Sequence, residues 1–301
     1  MKRIIAGGKE IRISGRWLRI AELEGDGYEF LDNPEPMIEA LRRSGSRIDL
    51  FTFMQRLPES APKYSYPMEM DNLAAVPIST FDHWWTKQIR PEARNRVRQA
   101  EKKGLTVREV PFGDDLVQGI WEIYNESPTR QGRRFPHYGK DFATVYKEEA
   151  TFLDSSIFIG AFFEEKLVGF VKLTADETRT QTNLMNILSM IKCRDKAPTN
   201  ALIAQSVRAC AERGISYLVY QRYTYGKKQA DGIVKFKEVN GFKQMDLPRY
   251  YVPLTLLGRI AFSFRLHHRL VDLLPESLVG KVRDFRNNWY NRKLQTAKES
   301  A

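Results

Sequence analysis

The chain has 301 residues, 42% hydrophobic and 12% aromatic, enough for one large domain or two small ones with a real core. Its two cysteines, Cys193 and Cys210, form neither a disulfide framework nor a four-ligand zinc site, so no metal is expected and a reducing, cytoplasmic compartment is. No stretch approaches the roughly 20 uninterrupted apolar residues of a membrane span, which reads against export and spanning, while a net charge of +11 points to anionic partners.

In chain order, Trp17 to Leu23 and Ile48 to Leu57 are β-rich, and Asn33-Pro34 starts a helix that runs to about Ser44. Thr80 caps a helix carrying Trp84, Trp85 and Ile89. Pro91 restarts one, and Gly104 stops it before a strand at Leu105 to Val110. Lys87 to Arg108 carries eight basic residues against two acidic ones, Glu92 and Glu101, and reads either as an anion-binding patch or as a solvated helix face. Helices follow at Asp114 to Glu126 and Asp141 to Leu153. Between them lies the loop SPTRQGRRFPHYGK, which has no acid at all.

Next come Ser156 to Phe163 and Lys166 to Thr174, two apolar β-forming runs around a short polar turn, with a third run at Asn183 to Ile191. Pro198 opens a helix that places Ile203, Val207, Cys210 and Ala211 on one face, and Gly214 closes it. A strand at Tyr217 to Tyr220, a short helix at Ile233 to Asn240 and a strand from Phe242 complete the pattern. From Leu256 to Leu294 the sequence is helical, with nine basic residues against four acidic from Leu254 onward. An amphipathic basic segment of this kind either lies on an anionic membrane surface or packs on its own domain.

The element order, together with SIFIGAFFEEKLVGFVKL, the helix after Pro198 and the closing FKEVNGF, resembles the GNAT acyltransferase superfamily over about Leu105 to Val252. RPEARNRVRQAEKKGLTV and the pair Phe236-Lys237 resemble its Fem-like branch of aminoacyl-tRNA-dependent transferases. The resemblance implies an α+β fold with a mostly antiparallel sheet flanked by helices. Residues 1–104 would be a reduced GNAT-like half, 105–252 the transferase domain and 253–301 a helical tail. It also implies transfer of an acyl or aminoacyl group to an amine of a cell-envelope or polysaccharide precursor. The donor would be acyl-CoA or aminoacyl-tRNA. A catalytically degenerate binding module and a tRNA or nucleic-acid binder are the alternatives.

Two departures from the superfamily bear on the donor. Where acetyl-CoA enzymes have a glycine-rich turn whose amides hold pyrophosphate, this chain has RDKAPT, with side chains at Ala197 and Thr199 and no amide donor at Pro198. Arg194, Lys196, Thr199 and Asn200 are the candidate cofactor contacts there, with Asn186 and Ser189 on the strand expected to face the cleft. Where many GNAT enzymes place a tyrosine acid, this chain has Lys237, whose charge suits stabilisation of the leaving group; the competing reading is an exposed helix residue.

His137 has the intrinsic pKa of a base. For substrate, Arg130, Gln131, Arg133 and Arg134 offer forks for phosphate, and Tyr138 and Phe135 offer faces for stacking. Tyr223 and Tyr225 are substrate contacts or a packing rim.

Overall fold

A computed structural model describes residues 1–224 and 232–268. The first hairpin, β1 (Lys2–Ala6) and β2 (Lys9–Ser14), turns at Gly7 and Gly8, both at positive φ, and leads to β3 (Ile20–Leu23). Trp17, expected in that strand, is instead 83% exposed before it. Helix α1 (Glu35–Arg43) begins where the Asn33 side chain accepts from the Glu35 amide at 3.3 Å. Strands β4 (Leu50–Met54) and β5 (Met68–Pro77) follow. Then α2 (Phe81–His83), capped by Thr80 Oγ1, runs into a π-helical turn at Trp84–Gln88, and α3 (Pro91–Lys102) carries the basic patch.

The second half starts with β6 (Thr106–Val110) and α4 (Asp114–Asn125). The acid-free loop holds a two-residue hairpin, β7 (Thr129–Arg130) with β8 (Arg133–Arg134), before α5 (Phe142–Glu149), which Asp141 caps and which ends short of the expected Leu153. Strands β9 (Ser156–Phe163), β10 (Lys166–Ala175) and β11 (Gln181–Ser189) form an antiparallel meander. After it come α6 (Pro198–Glu212), β12 (Tyr217–Arg222), α7 (Gly232–Val239), β13 (Lys243–Pro253) and α8 (Leu256–Ser263). Among the described residues no helix is long and apolar enough to cross a membrane.

All strands except β7 and β8 join one sheet, in the order β1-β2-β3-β4-β13-β5-β12-β11-β10-β9-β6. It is the mixed, mostly antiparallel sheet expected; among the described residues only β3–β4 and β11–β12 run parallel. Alternation along the strands assigns its two faces. Gly169 leaves room for Leu202 of α6 on one side, while Phe170 meets Tyr124 of α4 and Lys172 reaches α5 on the other.

The feature that positions the site is a parting of strands. The parallel pairing of β11 with β12 lasts for three residue pairs, Gln181–Asn183 with Tyr217–Val219. Beyond it β11 stays with β10, bulging at Met185, while β12 stays with β5. A wedge therefore opens between residues 184–189 and 220–222. Ile187, Leu188 and Ser189 on its wall are only half-buried.

Candidate functional site

Opposite faces of the sheet deliver different chemistry to this wedge. On the α6 and α7 side Lys237 is completely buried, which removes the reading of it as an exposed helix residue. Its Nζ donates to the Arg222 carbonyl at the end of β12 and lies 4.7 Å from the Tyr220 ring centroid. Burial lowers its pKa to about 8, because an ammonium stripped of water is disfavoured. Next to α7, Asn240 accepts from Asn200 of α6 at 3.2 Å, and Thr199 and Ser189 share a hydroxyl contact of 3.1 Å. The structure thus joins Lys237, Asn200, Thr199 and Ser189 along one side of the opening.

On the α4 and α5 side lies a buried polar cluster. Glu149, 1% exposed, accepts at Oε1 from Tyr124 at 2.8 Å and from Asn186 at 3.0 Å, while its Oε2 has no hydrogen-bond partner. Burial raises its pKa, outweighing the Tyr124 bond, the Lys172 charge and the Asn186 bond, which lower it. Lys172 is also fully buried and donates to the carbonyls of Glu149 (2.8 Å) and Thr151 (2.7 Å). Asn186 and Ser189 therefore both line the wedge, but from opposite faces.

His137 packs 4.4 Å from the Tyr124 ring, beside this cluster. Burial and then Lys140 lower its pKa, so the imidazole is neutral at pH 7. Lys140 Nζ lies 3.2 Å from Nδ1, a contact in which the neutral ring accepts from the ammonium and so carries its own proton on Nε2.

The other sequence-derived residues scatter. Arg130 is committed to the protein: it donates to Ser189 O (2.7 Å) and Ile123 O (2.8 Å) and stacks on Phe135, pinning the basic loop to β11. Gln131, Arg133 and Arg134 are exposed, as is Tyr138 at 46%. Beside that loop Trp121, Asn125, Lys140 and Phe142 line a surface depression of about 520 Å³. Arg194 is exposed, and Lys196 lies over the Phe163 ring at 4.4 Å. Tyr223 donates to Glu238 at 3.3 Å, and Tyr225 falls outside the described residues.

Where β11 was expected to continue to Ile191, it ends at Ser189 and a 3-10 turn begins. The first two amides of that turn, Ile191 and Lys192, donate to the Glu126 carboxylate at 2.6 and 3.0 Å. The backbone donors after β11 thus already hold an anion belonging to the chain.

Glu149, Tyr124, Lys172 and Glu126 were missed from sequence. The signal for Glu149 is its spacing: it falls four residues after Val145, the other buried residue of α5, and so shares the apolar face. Lys172 interrupts an otherwise apolar strand that is covered on both sides.

No protein-family model matches the sequence, and no curated protein does. Solved structures do match. The C-terminal DUF2156 domain of a proposed lysylphosphatidylglycerol synthetase from Agrobacterium fabrum superposes with a TM-score of 0.56 at 14% identity, over 87% of this chain and 86% of that one. L-PGS from Bacillus licheniformis gives 0.55 at 15% identity, over 89% of each chain. FemX gives 0.52 at 11% identity, over 80% and 83%. The chain therefore has the GNAT-like fold that it shares with FemX and the two lysylphosphatidylglycerol synthetase structures.

Proposed function

We propose that the protein transfers an aminoacyl group from aminoacyl-tRNA to an amine of a cell-envelope component, at the wedge between β11 and β12. The observation that carries the reading is the buried Lys237, held at the wedge with a pKa of about 8. Buried ionisable groups of this kind cost stability and are characteristic of sites that move protons.

In the reaction the incoming nitrogen attacks the ester carbonyl and gives up its proton to Glu149 Oε2, the acceptor left without a partner. The carbon–oxygen bond of the ester breaks, and the departing ribose oxygen takes a proton from Lys237. Asn186 positions the Glu149 carboxylate. The tRNA donor is preferred over acyl-CoA because Glu126 fills the amides after β11 and Pro198 removes one donor from the α6 terminus. The names of the neighbours, FemX and lysylphosphatidylglycerol synthetase, suit aminoacyl chemistry at the envelope.

A peripheral membrane contact belongs to the same proposal. Helix α8 and the residue after it expose Leu256, Leu257, Ile260 and Phe264 by 40–72%, interleaved with Arg259. One experiment tests donor and surface together. Radiolabelled aminoacyl-tRNA and radiolabelled acetyl-CoA are each offered with an envelope-precursor extract and with vesicles rich in anionic lipid. The expected result is label transfer from the tRNA alone and salt-sensitive sedimentation of the protein with the vesicles. Transfer from acetyl-CoA alone would refute the donor assignment.

A further inference from the structure

Further along β5, four residues from the Leu73 that pairs with Arg222 at the wedge, three potential ligands converge on residues that the transfer reaction does not use. Glu69 on β5 meets His267 and His268, just past α8, with one ligand atom of each within 4.8 Å of the others. His268 Nε2 lies 3.0 Å from Glu69 Oε2 and 3.1 Å from Oε1, which an ordinary ion pair would explain.

His267 is not explained that way. Its side chain is 1% exposed and its ring packs against Phe262 at 4.9 Å and Tyr251 at 4.6 Å. Neither ring nitrogen makes a well-aligned hydrogen bond: the ring's polar neighbours are the Ala261 backbone and Glu69, whose Oε1 lies 3.4 Å from Nε2. Leaving a buried polar group poorly paired is costly, so a better partner is called for. Ligands held about 2.0–2.1 Å from a tetrahedral zinc ion stand roughly 3.4 Å apart along each edge, close to the 3.4 Å between His267 Nε2 and Glu69 Oε1 and the 3.0 Å between His268 Nε2 and Glu69 Oε2.

We propose that Glu69, His267 and His268 form a site for one divalent first-row transition ion of the zinc type. Two imidazoles and one carboxylate match the borderline-soft preference of zinc, whereas magnesium and calcium favour all-oxygen sets. Three protein ligands leave a fourth position for water. The ion clamps the turn after α8 to β5. The site is independent of the transfer chemistry.

The untagged, full-length protein, dialysed against a chelator, is titrated with Zn2+ in competition with a colorimetric chelator. The expected result is one ion per chain, with affinity lowered at least about 100-fold by Glu69→Gln and by His267→Gln, and a thermal midpoint raised by Zn2+ in the wild type only. Co2+ added to the wild type provides a readout that needs no variant: visible bands of a four- or five-coordinate nitrogen–oxygen site are expected. Absence of saturable Zn2+ binding, binding undiminished in both variants, or purely octahedral Co2+ bands would overturn the proposal.

Discussion

Burial and charge oppose each other at Lys237. The native amine gives up its proton near pH 8 and the unfolded one near 10.5, so between these values the unfolded chain binds more protons and stability climbs as pH rises. At pH 7 the buried cation costs about 3 kcal/mol relative to the neutral amine. Glu149 has the mirror-image linkage. Its native pKa is raised, so the stability it contributes is present at low pH and lost as pH climbs from the ordinary carboxylate range towards the raised value. Lys237→Met should therefore unfold at the wild-type temperature or above at pH 7, whereas Glu149→Gln, which leaves the buried Lys172 ammonium without the carboxylate that favours it, should unfold below it. Thermal melts followed by circular dichroism test this, and a drop of several degrees in Lys237→Met would make that residue scaffold rather than machinery. The type of residue at 237 was legible in the sequence as a resemblance. Its burial was not, because a lysine flanked by Phe236 and Glu238 on a two-turn helix reads equally well as solvent-facing. Arg130 shows the opposite failure: an arginine in an acid-free loop looks like a ligand fork, yet backbone carbonyls brought in by folding absorb it.

At the level of elements, the carboxyl end of α7 decides where Lys237 stands. The Trp84 indole donates to Asn240 O at 3.0 Å, and Arg90 N donates to Val239 O at 2.9 Å. Gly241 turns the chain at φ 86°, where an added Cβ would come within 3.1 Å of the Trp84 ring nitrogen. Replacing Trp84 with Phe leaves a buried carbonyl without its donor, so Trp84→Phe should lose about 1–3 kcal/mol in urea denaturation and lower transfer as α7 shifts. Unchanged stability would contradict this role. Elements announced by chemical punctuation were readable in advance: Thr80, Asp141 and Pro198 open helices, and Gly104 follows the end of α3. Strand β5 was not, because MEMDNLAAVP has one β-branched residue and several poor strand formers. Tertiary pairing with β12 and β13 makes it a strand.

For the whole molecule the sheet is the unit. Strand β5, from the first 80 residues, lies between β12 and β13, and β13 continues onto β4, so the sheet runs unbroken across residue 104. A fragment covering 105–268 would expose both edges that β5 normally satisfies. It should be recovered aggregated or without cooperative unfolding, whereas a soluble fragment with a sharp thermal transition would show that the second half folds alone. Long-range adjacency of this kind lies beyond sequence pattern, as does the Glu69–His268 contact, whose residues stand 199 positions apart. The resemblance carried the architecture because it rests on element order. It could not carry the cluster at Glu149, which forms only when α5, β10 and β11 stack.

The central claim is that acyl transfer occurs where β11 and β12 part, with Lys237 protonating the leaving group. Single-turnover transfer from aminoacyl-tRNA, measured in parallel with tRNA binding for the wild type and Lys237→Met, tests it most directly. The account predicts transfer slowed by at least about 100-fold with binding changed only a few-fold, and a wild-type rate that declines above about pH 8. Transfer by Lys237→Met at the wild-type rate and with the same pH profile would contradict it.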